Sequence, residues 1–285
     1  MPQAPVLPKI HDAPLGVLLL ARLDAGHAAA VTRVWLDWLK KRGGEWELLV
    51  VDDGSDDETA EAVGGIEDAR LRLIRHDVPK GEGAALRTGL AALEKPLIFY
   101  TLCRPEYTPA GLEVMLTREV PVDEAGKVGL EVDHVHLTAG CRAGEPTPPV
   151  LATLGAAWRG FCWLVFSYTA PVAPGWLGWG RWWAGVWMWW VFGLRYADAL
   201  CPYRLLRRDM LARIPIQSDT AFAHAELLAK ANFLGQVLAG EQVPLPVKPP
   251  PSRGDFAALY ADAMKVSNAP DFGPAVLPAA APATV

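Results

Sequence analysis

Two adjacent carboxylates, Asp52 and Asp53, end the apolar run Glu47 to Val51 in the stretch LLVVDDGSDDET. At the end of a buried strand such a pair can accept hydrogen bonds from the edge of a base or from ribose hydroxyls. It can equally be the solvated acidic start of a helix, since acids favour the first turn. Ser55 and Glu58 have the spacing of a capping box. Further on, VPKGEGAALRTGL offers Lys80 as a cation, with Gly81 and Gly83 where the backbone can approach a ligand or simply turn into a helix. It lacks the G-x-x-x-x-G-K-[ST] order of a P-loop. A third stretch, IFYTLCRPEYTP, leads from an apolar run into Leu102, Cys103, Arg104 and Glu106. Arg204, Arg207 and Arg208 form a basic turn, and Glu226 lies in AFAHAELLAKANFLG.

These stretches need elements to hold them. Gly16 to Ala21, Glu47 to Val51, Leu71 to Arg75 and Leu97 to Thr101 read as short buried strands. Between them, residues 28–41 repeat apolar positions at i, i+3, i+4, i+7 and i+8, and residues 84–93 place Leu86, Leu90 and Leu93 on one face. Alternating strand and helix predict an α/β domain with a doubly wound, mostly parallel sheet. Ligands bind such sheets beyond the carboxyl ends of the strands, so the loops after Ala21, Val51, Arg75 and Thr101 are the ones to inspect. A later strand is expected at Val135 to Ala139, and a helix over 221–235 with Gly235 as its stop.

The chain has 285 residues, 51% of them apolar and 21% charged, enough for one α/β domain with extras. A net charge of -5 argues against a nucleic-acid binder. Cys103, Cys141, Cys162 and Cys201 form no C-x-x-C pair and suggest neither zinc nor a disulfide framework.

The motifs, taken in order, resemble family 2 glycosyltransferases of the GT-A fold, most closely the polyprenyl-phosphate (dolichol-phosphate mannose synthase-like) branch. The resemblance runs from about Leu15 to Gly254 through VVDDGSDDE, KGEGAALRTGL, AGCR (139–142), DALCPYRLLRR (198–208), HAELLAKANFLG (224–235) and PSRGD (251–255). It implies a UDP- or GDP-linked sugar donor on the first half of the chain and a lipid-phosphate or other membrane-borne acceptor on the second. On that reading Asp24, Asp52 and Asp53 address the nucleotide, with Lys80 and Gly83 nearby. Arg142, Arg204 and Arg253 contact phosphates, since a guanidinium fork matches phosphate oxygens. Glu226 faces the acceptor.

Two departures matter. Where the family ends its first strand in Pro-x-Tyr-Asn-Glu, this chain reads Leu20-Ala-Arg-Leu-Asp24. Where the family's Asp-x-Asp holds Mg²⁺ or Mn²⁺, it reads Leu102-Cys-Arg104, with Glu106 the nearest acid. A hard cation wants oxygen ligands, so no metal ligand is assigned and no cofactor is named. Three readings stay open: Arg104 replaces the metal, other acids such as Glu106 hold one, or the fold binds without turnover. Arg104, Glu106 and Glu226 are the catalytic candidates.

Nine of the 12 tryptophans lie between Trp158 and Trp190. Tryptophan favours the headgroup layer, which predicts interfacial helices over 157–194 on the inner face of a membrane; burial in a domain or dimer interface and a transmembrane hairpin are the other readings. A GT-A domain over 1–243 and a Pro/Ala-rich tail over 244–285, disordered at its end, complete the expectation.

Overall fold

The computed structural model describes residues 13–117, 135–142, 188, 190–194, 198–236, 238–243 and 256–274. Seven strands form one sheet: β1 (Leu15–Ala21), β2 (Trp46–Asp52), β3 (Leu71–Arg75), β4 (Leu97–Leu102), β5 (Leu137–Arg142), β6 (Arg204–Arg207) and β7 (Leu238–Val243). Their order is β3-β2-β1-β4-β6-β5-β7. The first four are parallel; β6 runs antiparallel to β4 and β5. The predicted doubly wound half is therefore present, with a mixed second half.

The central strands are apolar on both faces because helices cover both. α1 (Ala28–Arg42) packs one face, where Trp35 stacks on Phe99 at 5.2 Å. α3 (Glu82–Ala92) and α5 (Phe222–Phe233) pack the other, onto Leu18, Ile98 and Tyr100. α2 (Thr59–Gly64) and α4 (Pro109–Leu116) complete the described first half.

The presumed tail holds a helix, α6 (Phe256–Asn268). Its Ala263 and Val266 are buried in the main core. Asp262 accepts hydrogen bonds from the Asp219 and Thr220 amides and the Thr220 hydroxyl. Flanking prolines concealed a short amphipathic stretch, so the tail reading is corrected for these residues. The Trp-rich segment lies mostly outside the described residues. Its last part is packed in protein: Met188, Phe192 and Leu194 are buried, with Phe192 against Phe222 at 5.6 Å, while Trp190 is exposed. No described helix is long and apolar enough to cross a membrane.

Candidate functional site

The carboxyl ends of β1, β2 and β4 meet at one edge of the sheet. β1 runs into a turn in which Leu23 has φ 54°. That conformation is costly for a branched side chain, and three long-range hydrogen bonds hold it. The Leu23, Asp24 and Ala25 amides donate to Ser55 Oγ (2.9 Å), Thr59 Oγ1 (2.8 Å) and Asp57 Oδ2 (3.2 Å). The segment 55–59 is thus a clamp for the β1 turn. Ser55 Oγ donates to Asp52 and Thr59 Oγ1 to Asp57, so the expected Ser55–Glu58 capping box does not form. Glu58 precedes α2 without a side-chain cap. Burial works against ionisation of Asp57, but hydrogen bonds from Thr59 and Ala25 outweigh it and hold the carboxyl below its usual range.

The clamp aims Asp24, which is 3% exposed. Its Oδ1 lies 3.3 Å from His27 Nε2 and 3.9 Å from Arg104 Nε. Arg104 is set by the turn after β4, where the Cys103 amide donates to Leu20 O and the Tyr107 amide to Arg104 O. Cys103 is buried, and burial and then Asp24 push its thiol up to about 12. The two departures noted in the sequence therefore sit together, the acid after β1 facing the arginine after β4. Glu106 is exposed on the same turn.

The acid pair after β2 is used differently from expectation. Asp52 accepts from the Ser55 amide and hydroxyl and lies 3.5 Å from Arg75 Nε. Asp53 accepts from the Lys80 and Gly81 amides at 2.8 Å each and meets His76 Nδ1 at 2.9 Å. Arg22 Nη1 stands 3.9 Å away. Both carboxylates are buried and brace loops. Lys80 is exposed beside them. Gly81 and Gly83 are small for a protein neighbour: a Cβ on either would overlap the carbonyl of Asp219 or Ser218. Ligand approach is not their evident reason.

In the second half, Arg204 and Glu226 are also buried. Arg204 is fully enclosed, donating to the carbonyls of Gly140, Asp198 and Ala199, which corrects its reading as a phosphate contact. Arg207 and Arg208 donate to the carbonyls of Val135 and Leu93. Glu226 sits on α5 as expected, but it is wholly buried. It pairs with Lys230 at 2.6 Å and accepts from the Gln217 and Ser218 amides and the Ser218 hydroxyl. Four donors leave it no edge for an acceptor. The Arg142 side chain, Arg253 and the rest of PSRGD lie outside the described residues.

Sequence reasoning missed His27, Arg22 and the buried histidines His76 and His224. His27 had a signal, since a D-x-x-H spacing at a helix start puts both side chains on one turn. Among the described residues no group of three His, Cys, Asp or Glu side chains is placed to hold a metal.

Residues 27–101 match the family model described as glycosyl transferase family 2. No curated protein matches the chain in sequence. Among solved structures, glucosyl-3-phosphoglycerate synthase from Mycobacterium tuberculosis, in complex with Mn²⁺, UDP and phosphoglyceric acid, is similar with a TM-score of 0.52 and 17% identity, covering 91% of this chain and 80% of that one. Mannosyl-3-phosphoglycerate synthase from Rubrobacter xylanophilus gives a TM-score of 0.53 at 14% identity, covering 93% and 79%. With the strand order, these establish the GT-A fold.

Proposed function

We propose that this chain is a glycosyltransferase taking its sugar from a UDP- or GDP-linked donor over the carboxyl ends of β1, β2 and β4. One observation carries the reading: Arg104 lies beside Asp24 at that edge, in a GT-A fold whose first half matches family 2. Departure of a nucleoside diphosphate develops negative charge on its phosphates. A metal usually stabilises that charge by several kcal/mol, and a fixed guanidinium can take over part of it because it is already oriented. Asp24 and the clamp behind it hold Arg104 in place. Exposed Lys80 and half-exposed Arg22 add positive charge nearby. The acceptor is a phosphate-bearing compound. The Trp-rich segment favours a lipid phosphate at a membrane surface, and the solved neighbours favour a small acid such as phosphoglycerate.

Turnover of UDP-glucose and GDP-mannose by wild type and Arg104→Ala, with Mn²⁺ or with EDTA, tests this. The acceptors are polyprenyl phosphate in vesicles and 3-phosphoglycerate in solution. Turnover in EDTA that falls at least about tenfold in R104A is expected. Unchanged turnover in R104A sinks the arginine role, and turnover that needs Mn²⁺ moves it to a metal held by other acids such as Glu106. A silent binder is the second reading, favoured by the double departure at Leu102-Cys-Arg104 and at Leu20-Ala-Arg-Leu-Asp24 from the family's Asp-x-Asp and Asn-Glu turns. Nucleotide binding without turnover of any pair would support it.

A further inference from the structure

Behind the site a line of polar side chains crosses the core between α3, α5 and the sheet. His224 on α5 is 0% exposed. Its Nδ1 lies 3.2 Å from the Tyr100 hydroxyl, and its Nε2 lies 2.7 Å from Glu82 Oε1. The Tyr100 and His224 rings stack at 5.5 Å. Tyr100 is also fully buried, with the cationic guanidinium of Arg204 close by. Glu82, in the first turn of α3, is about one-third exposed at 32%.

The chemistry of the carboxylate end fixes the direction of the bonds along the line. A carboxylate can only accept, so His224 Nε2 carries the proton toward Glu82, and the phenol proton of Tyr100 donates to the other nitrogen, Nδ1. Burial pushes the Tyr100 phenol well above its ordinary range, so that proton stays on. An Nδ1 that accepts leaves the imidazole neutral, with its proton on Nε2. That proton donates to Glu82, whose ionised carboxylate can only accept. Donors and acceptors match one for one along the line. A doubly protonated His224 would leave the phenol proton without an acceptor and would set two cations around Tyr100.

Buried polar groups are costly unless fully paired. This line is paired, and it ends in a carboxylate with its remaining lone pairs toward solvent. Glu82 follows Lys80 and Gly81, whose amides hold Asp53 at the carboxyl edge. We propose that Tyr100 and His224 form a directional hydrogen-bond wire that orients Glu82 as the group that accepts a hydroxyl of the donor's sugar. The sugar contact rests on the functional reading above; the wire does not.

Two measurements on the full chain test it. In ¹⁵N-histidine NMR at neutral pH, His224 shows the Nε2–H neutral tautomer. Tyr100→Phe keeps the ring but removes the donor to Nδ1, and mixes the tautomers. A His224 protonated on Nδ1, or on both nitrogens, overturns the wire. In binding assays UDP-glucose is compared with UDP, and GDP-mannose with GDP. Glu82→Gln and Glu82→Ala lower affinity for the sugar nucleotide about tenfold, the scale of a hydrogen bond to a charged group, and leave that for the free nucleotide unchanged. Equal losses for both, or no loss, overturn the sugar contact. Failure of wild type to bind either nucleotide overturns the functional reading and the sugar contact with it.

Discussion

Replacing Glu226 by alanine should damage the fold before it touches chemistry. The carboxylate is 0% exposed and its partner Lys230 is 1% exposed, with 2.6 Å between them. Its removal leaves a buried ammonium whose remaining contacts are two neutral oxygens, Pro215 O and Gln217 Oε1. It also strips the acceptors from the Gln217 and Ser218 amides and the Ser218 hydroxyl. Breaking one side of a buried pair costs about 3–5 kcal/mol. That is a large share of the roughly 5–15 kcal/mol that holds a domain together. Urea unfolding at neutral pH reads it directly, as a fall in midpoint at constant slope. The double variant Glu226→Leu with Lys230→Met removes both charges and should be destabilised less than Glu226→Ala alone, because no ion is left unpaired. A loss below about 1 kcal/mol for Glu226→Ala, the level of an exposed pair, would refute the structural role. So would a Glu226→Gln variant of unchanged stability that had lost all turnover, which is the signature of an acid acting on the acceptor.

Gly81→Ala and Gly83→Ala should each lower stability by more than about 1 kcal/mol, because the new methyl meets the carbonyl of Asp219 or Ser218; Gly26→Ala, with open space around it, should be neutral in the same unfolding assay. Asp57 titrates below its ordinary value when folded, so its contribution is present above the unfolded pKa and is lost as pH falls through the folded one. The stability difference between wild type and Asp57→Asn should therefore shrink below about pH 4, as followed by unfolding at stepped pH. Deleting residues 256–285 should cost several kcal/mol, on the order of the burial of Val266 and Ala263 plus the Asp262 bonds. An unchanged thermal midpoint for the truncated chain would restore the tail reading.

The first half was legible because its signals are local. Apolar runs of strand length, separated by helices with a 3.6-residue period, permit little besides a parallel sheet, and β3 falls on Leu71–Arg75 as expected. Topology singled out the carboxyl edge of the sheet, and Asp24 and Arg104 became candidates there from what they replace. The second half was less legible. α6 hides between prolines, and its pairing with α5 is set by contacts some 40 residues apart in the chain.

By itself the sequence determined the order of the elements of the first half and the resemblance, since these reside in residue type and spacing. The tertiary structure alone decided which polar groups are free. Asp52, Asp53, Arg204 and Glu226 have the composition of a site, yet each is buried and spent on backbone or on an internal partner. A buried charge must be satisfied by whatever lies beside it, and those neighbours come from distant parts of the chain. The same reason joins Glu82, Tyr100 and His224, three residues that nothing in their local sequence relates.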